Sequence, residues 1–110
     1  MDHKNDENKC FYFITVFVKL DIDDLGYPDT GDSTCWGFYS DKDTAFKAVH
    51  ENWSDMEERC YKYAVIEEYR EGICGYNGYR QFFKYDVDKN GYFEIDEPES
   101  YKHFCSFSLA

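Results

Sequence analysis

The amino-acid sequence predicts an α+β domain, in which an antiparallel β-sheet of about five strands carries one main helix on one face. Short segments rich in β-branched and aromatic residues recur between clusters of Gly, Asp and Pro, which is typical of strands joined by turns. One segment repeats apolar residues at helical spacing. The predicted order is β-β-α-β-β-β. We expect residues 1–9 to form a polar N-terminal tail and residues 10–110 to form a single α+β domain.

The first two predicted strands enclose an acidic connection. Residues 10–18 are nearly all apolar, which is typical of a strand covered on both faces. Residues 21–34 combine five Asp with two Gly and one Pro, which indicates an acidic loop or a long hairpin connection. Residues 35–39 then predict a short second strand.

A helix is predicted to start after Ser40. The Ser40 side chain can accept the amide of Asp43, as in a capping box, and Asp43 also suits the positive end of the helix dipole. Phe46, Val49 and Trp53 follow at helical spacing and predict the apolar face. We expect the helix to end at about residues 52–53.

The second half of the chain predicts three more strands. Residues 61–70 read as a strand, 71–78 as a loop with three Gly, and 79–87 with 92–95 as a hairpin. The stretch from Pro98 predicts a short helix or a final strand. Glu67 and Glu68 are neighbours on one strand, so their side chains should point to opposite faces, which argues against a two-carboxylate glycosidase pair.

Charge is the strongest indication of function. Twenty-three Asp and Glu face twelve Lys and Arg, so the net charge is −11, while 21% of residues are aromatic. Disordered acidic chains are poor in aromatic residues, so this chain should fold. Its field repels phosphates, which argues against direct nucleic-acid binding, and attracts cationic proteins. The predicted partner-binding residues are Asp21, Asp23, Asp24, Asp29, Asp32, Glu67, Glu68, Glu71, Glu94, Asp96 and Glu97.

Residues 86–97 also fit the pattern of an EF-hand calcium loop at every fixed position. The predicted calcium ligands are Asp86, Asp88, Asn90, the carbonyl of Tyr92, and Glu97. This suggests a calcium-dependent binding module as an alternative function.

The same segment also predicts a β-hairpin without a specific calcium site. Lys89 and Asn90 would form a type I turn with Gly91 in a G1 bulge. That register sets Asp86 opposite Glu94, a like-charge pair.

Cysteine and histidine give no recognisable site. Five Cys occur without a Cys-x-x-Cys pair, so we expect buried, reduced thiols in a cytoplasmic protein. A zinc site built from Cys and His3, His50 or His103 is the alternative, but no spacing supports it. His50 as a general base, with Cys60 or Cys74 as nucleophile, would need the fold to bring them together. We expect no enzyme, no cofactor other than calcium, no signal peptide and no membrane span.

Three strand segments carry a resemblance: residues 11–16 (FYFITV), 36–39 (WGFY) and 63–68 (YAVIEE). Through them the chain is similar to small uncharacterised acidic proteins of bacterial mobile genetic elements. In size, charge and lack of a catalytic motif it also resembles, as a class, anti-CRISPR and other anti-defence proteins. That analogy implies an inhibitor that binds a basic nucleic-acid-binding protein such as a CRISPR effector nuclease, as a DNA mimic. Whether it acts as a monomer or a homodimer stays open.

Overall fold

The computed structural model of the protein describes residues 10–53, 61–70 and 76–101, apart from the side chains of residues 76–78 and Ser100. The described elements are β1 (Cys10–Phe17), β2 (Asp21–Ile22), β3 (Pro28–Asp29), β4 (Ser33–Tyr39), helix α1 (Lys42–His50), β5 (Tyr63–Arg70), β6 (Tyr76–Asp86), β7 (Gly91–Ile95) and a 3-10 helix (Glu99–Tyr101).

Five strands form one antiparallel sheet in the order β4-β1-β5-β6-β7, and α1 packs on one of its faces. The predicted α+β class and the five-stranded sheet are therefore confirmed. The acidic connection after β1 is itself a small hairpin, because β2 and β3 pair with each other outside the main sheet. The C-terminal stretch contributes a 3-10 helix at residues 99–101.

Apolar side chains fill both faces of the sheet. The cluster under α1 consists of Ile14, Val16, Ala45, Ala48, Val49, Ala64, Ile66, Phe83 and Tyr92, all buried. A second cluster, on the opposite face, consists of Phe17, Val65, Phe82 and Tyr101. Neighbours along a strand point to opposite faces, and in β1 Val16 and Phe17 are both fully buried. The prediction that β1 is covered on both faces is thus confirmed for its second half.

Helix α1 starts one residue later than predicted. Its N-cap is Asp41, whose carboxylate accepts the amide (2.8 Å) and the hydroxyl (2.7 Å) of Thr44. These bonds hold the pKa of Asp41 below its usual range. The expected Ser40 cap was wrong, since a carboxylate is the stronger acceptor for the positive end of a helix and Asp41 lies one residue further on.

The helix also ends sooner, at His50. Asn52 takes a left-handed φ of 51°, and the amides of Asn52 and Trp53 bond back to the carbonyls of Val49 and Ala48. This pattern is a Schellman motif, which terminates helices. Trp53, which the sequence pattern assigned to the helix face, is 48% exposed in the turn that follows.

Candidate functional site

The acidic hairpin of residues 21–29 is an ordered structure. The Asp23 carboxylate accepts the amides of Leu25 and Tyr27, both at 2.9 Å, and the Asp23 amide donates to the Tyr27 carbonyl. Gly26 adopts a φ of +86°, a region that favours glycine, and its amide donates to the Asp23 carbonyl. The side chain of Asp23 therefore closes this turn in the way an Asx turn does.

Like charges face each other across this hairpin, because Asp21 pairs with Asp29 in the β2–β3 register. Lys19 relieves the repulsion through an ion pair of 3.1 Å between its Nζ and Asp29 Oδ2. That side-chain bond to Lys19, together with the amide of Gly31, lowers the pKa of Asp29. Asp21, its cross-strand partner, is exposed to solvent.

Tyr101 joins the acidic hairpin to the C-terminal segment. Its ring is buried in the second cluster, and its hydroxyl donates to the backbone carbonyl of Asp21. Burial raises the pKa of Tyr101 to about 12, and the charges of Asp21 and Asp29 act in the same direction. The hairpin therefore contacts the 3-10 helix of residues 99–101, in which Glu99 is exposed.

A buried ionic network holds this segment on the sheet. Arg80, whose side chain is 4% exposed, bonds to Glu97 through Nε (3.2 Å) and Nη2 (3.1 Å). Its Nη1 lies 3.3 Å from Glu67 Oε2, and its Nη2 donates to the Tyr101 carbonyl at 2.9 Å. Glu67 is fully buried and also accepts the Tyr69 hydroxyl at 3.3 Å. The guanidinium thus connects β5, β6 and the C-terminal segment.

The predicted partner-binding residues do not form one surface. Five of them, Asp21, Asp23, Asp24, Asp29 and Asp32, lie in the connection between β1 and β4, which the Tyr101 hydroxyl contacts through the Asp21 carbonyl, whereas Asp96 lies just after the edge strand β7. We call these five Asp, with Glu99, the acidic surface.

The remaining predicted residues lie elsewhere. Glu67 is buried against Arg80, and Glu97 is half-buried by the same network, so the expectation that Glu67 is a surface residue was wrong. Glu68 accepts the Tyr12 hydroxyl at 2.7 Å, which raises the pKa of Tyr12. Glu94 lies near the end of helix α1, and Glu71 is outside the described residues.

The calcium-loop segment is a β-hairpin, but its register differs from the predicted one. Asp86 pairs with Gly91 and Tyr85 pairs with Tyr92, so the like-charge pair of Asp86 and Glu94 does not form. The Asp86 carboxylate accepts the amides of residues 88 and 89, which tightens a four-residue turn at 87–90. The left-handed residue of this turn is Asn90, with a φ of 53°, and Gly91 is already in the strand.

Four of the five predicted calcium ligands are engaged with other groups, and one of these, Asp86, bonds to the amides of the turn that follows it. The Asn90 side-chain oxygen accepts the Tyr85 hydroxyl at 2.6 Å. The Tyr92 carbonyl lies 2.7 Å from His50 Nδ1, and Glu97 pairs with Arg80. Asp88 and Asn90 lie in the turn itself, and Asp86 is the last residue of β6 before it. Among the described residues no three His, Cys, Asp or Glu are grouped so as to hold a metal ion.

Two of the five Cys lie in the described ranges, and both Cys10 and Cys35 are free thiols. Cys35 is exposed, which differs from the expectation of buried thiols because β4 is an edge strand. Cys60, Cys74 and Cys105 lie outside the described residues, as do His3 and His103.

Sequence reasoning missed Arg80 and Tyr101. Arg80 is one of two cations in a β-prone segment, where its charge predicts a solvated residue. Its register opposite Glu67 was the missing signal, since that pairing sets both charges on the same face of the sheet. Tyr101 carried no signal, because its role depends on a hydrogen bond to a residue 80 positions away.

Comparison with protein-family models, with curated proteins and with solved structures finds no match for this chain. In the part of the chain that the structure describes, no helix is long and apolar enough to cross a membrane.

Proposed function

We propose that this chain is a non-enzymatic inhibitor that binds the cationic surface of a nucleic-acid-binding protein and competes there with DNA or RNA. The supporting observation is the junction at Tyr101, because it brings the 3-10 helix that carries Glu99 against the connection that carries the five Asp of residues 21–32. Carboxylates grouped on one ordered surface produce a stronger local field than scattered ones, and such a field speeds the encounter with a Lys/Arg-lined groove.

Lys19 and Arg80, two cations that the structure describes close to this surface, are each paired with a carboxylate. Lys19 is paired with Asp29, and Arg80 is buried between Glu67 and Glu97. Arg80 therefore offers no charge to a partner, while the exposed carboxylates of Asp24 and Asp32 remain in solvent. Phosphates in a nucleic-acid duplex present a comparable series of negative charges, which supports mimicry of DNA.

The geometry of His50 supports a non-enzymatic role. Its Nδ1 lies 2.7 Å from the Tyr92 carbonyl, which can only accept, so Nδ1 carries the proton. Its Nε2 lies 3.3 Å from Glu94 Oε1. Both ring nitrogens of His50 therefore face protein oxygens on β7, and these contacts link helix α1 to that strand. This arrangement places His50 poorly for a role as a general base.

The partner that fits best is an RNA-guided effector nuclease, since it holds nucleic acid in a long positively charged channel. Binding is measured by biolayer interferometry to a purified Cas9-type effector, with and without guide RNA, between about 0.05 and 0.5 M salt. We expect affinity to fall steeply with salt, and excess DNA substrate to displace the protein.

Matched charge reversals locate the surface. Asp24→Lys with Asp32→Lys should weaken binding about tenfold or more and flatten its salt dependence. Asp43→Lys with Asp88→Lys changes the net charge equally, at exposed sites on α1 and the β6–β7 turn, and should have little effect. The proposed surface is refuted if the affinity does not depend on salt concentration. It is also refuted if the two double variants weaken binding equally.

A further inference from the structure

The acidic hairpin carries an unusual concentration of exposed apolar side chains. Leu25 is 81% exposed, Tyr27 64% and Ile22 52%. All three lie within six residues, between Asp21 and the Asp29 that pairs with it. Single exposed apolar residues are common on protein surfaces, but a group of them inside a strongly charged segment marks an interaction site.

This apolar group is held in a fixed conformation. The two bonds to the Asp23 carboxylate fix the backbone at Leu25 and Tyr27. The base of the hairpin is anchored by the Tyr101 hydroxyl and by the amides of Val18 and Lys19, which both donate to the Thr30 carbonyl. The hairpin backbone therefore loses little conformational entropy when these side chains dock, and pre-organised contacts contribute more affinity than flexible ones.

We propose that Ile22, Leu25 and Tyr27 form an apolar anchor that inserts into an apolar depression rimmed by Lys or Arg on the partner protein. This inference rests on the proposed function and extends it, because it names the contact that follows the electrostatic encounter. The hairpin that carries the anchor also holds Asp21, Asp23, Asp24 and Asp29, so charge complementarity selects a cationic rim.

The same charges argue against other occupants. A second copy of the chain would bring two acidic hairpins together, at a cost in repulsion. Nucleic acid and anionic membranes would present negative charge to Asp21, Asp23 and Asp24. A cationic protein with an apolar depression satisfies both parts of the hairpin at once.

The exposed charges and the apolar anchor of the hairpin act on different rate constants of binding. Exposed charges at the rim mainly set the association rate and its salt dependence, while buried apolar anchors mainly set the dissociation rate. On the effector nuclease, Leu25→Ser and Tyr27→Ser should raise the dissociation rate about tenfold and leave the salt dependence unchanged. Asp24→Lys with Asp32→Lys should mainly lower the association rate.

Two synthetic peptides test the anchor without a known partner. One is a cationic helical peptide of Lys and Leu with all Leu on one face, and the other is a Lys-only peptide of equal charge. Binding to the full chain is followed by fluorescence anisotropy and by the backbone amide shifts of residues 21–29. We expect the Lys/Leu peptide to bind more tightly, and Leu25→Ser to remove that advantage but not the binding of the Lys-only peptide.

Val87→Ser is the matched control, because Val87 is 75% exposed at the turn after β6 and lies outside the hairpin. The anchor is overturned if Leu25→Ser has no effect, or if Val87→Ser has an equal one, while the Lys-only peptide still binds in a salt-dependent manner. Failure of both peptides to bind at low salt overturns the proposed function together with the anchor.

Discussion

Arg80 should be among the residues on which the stability of this fold most depends. Arg80→Met keeps most of the apolar stem but removes the guanidinium that bonds to Glu67, Glu97 and the Tyr101 carbonyl. Glu67 is fully buried, so its carboxylate would lose its charge partner inside the protein. Removing one member of a buried ion pair typically costs about 3–5 kcal/mol.

That loss is large for a domain of 110 residues. Whole domains are stable by about 5–15 kcal/mol, and about 1 kcal/mol shifts Tm by roughly 4 °C or more at this size. We therefore expect Arg80→Met to lower Tm by more than about 10 °C, with a matching fall in the urea midpoint. Circular dichroism during thermal and urea unfolding measures both.

The double variant decides whether the cause is the unpaired charge. Replacing both Arg80 and Glu67 with Met removes the charges together, and such exchanges are often close to neutral. The double variant should therefore be more stable than Arg80→Met alone. If Arg80→Met costs less than about 1 kcal/mol, or if the losses of the two single variants simply add, the reasoning about the buried network is wrong.

Three further outcomes follow from the structure. Gly91→Ala should destabilise the fold by about 1–3 kcal/mol, because its Cβ would overlap the His50 carbonyl at the end of α1. In Gly26→Ala the added Cβ meets open space, and the only cost is the left-handed backbone conformation. Equal urea midpoints for the two variants would contradict this difference. Asp41→Ala should lower Tm and Ser40→Ala should not, since the N-cap is Asp41. Folding lowers the pKa values of Asp29 and Asp41 from 3.8. The stability that these two carboxylates contribute is therefore present above about pH 4 and is lost as the pH falls through the lower folded values. Acid unfolding of Asp29→Asn and of Asp41→Asn, compared with the unsubstituted chain, measures this loss.

Local composition was enough to predict most of the fold. The apolar runs at residues 10–18 and 61–70 mark β1 and β5 to within two residues, because β-branched and aromatic residues favour a covered strand. Gly and Pro likewise mark the acidic hairpin. These signals are properties of the segments themselves.

The β6–β7 register could not be predicted in this way. The side chain of Asp86 closes the turn, and Gly91 lies against the His50 carbonyl at the end of α1. That close approach leaves no room for a side chain, so the glycine serves packing between helix and sheet rather than a turn. Gly91 and His50 are 41 positions apart, so the spacing of a local motif cannot predict the contact between them.

The sequence alone also could not predict which carboxylates belong to the acidic surface. Alternation placed Glu67 and Glu68 on opposite faces, but it could not tell which face is covered. Arg80 on the neighbouring strand and Tyr101 at the C-terminal segment decide that Glu67 is interior. Burial of a carboxylate depends on the cation it meets, and that cation comes from another part of the chain.

The fold keeps its own stability largely separate from the charge that we assign to binding. Tyr101 docks on the hairpin through the backbone carbonyl of Asp21, so the carboxylate of Asp21 takes no part in this contact, and Asp21 remains exposed. Arg80 neutralises the buried Glu67, and Lys19 compensates the repulsion between Asp21 and Asp29 across the hairpin. Asp24 and Asp32 can therefore be reversed in charge without removing a contact that holds the hairpin, because the hairpin bonds run through Asp23, Asp29 and the backbone. Their repulsion is a cost to the folded state, which a cationic partner would relieve, and this makes binding and hairpin stability increase together.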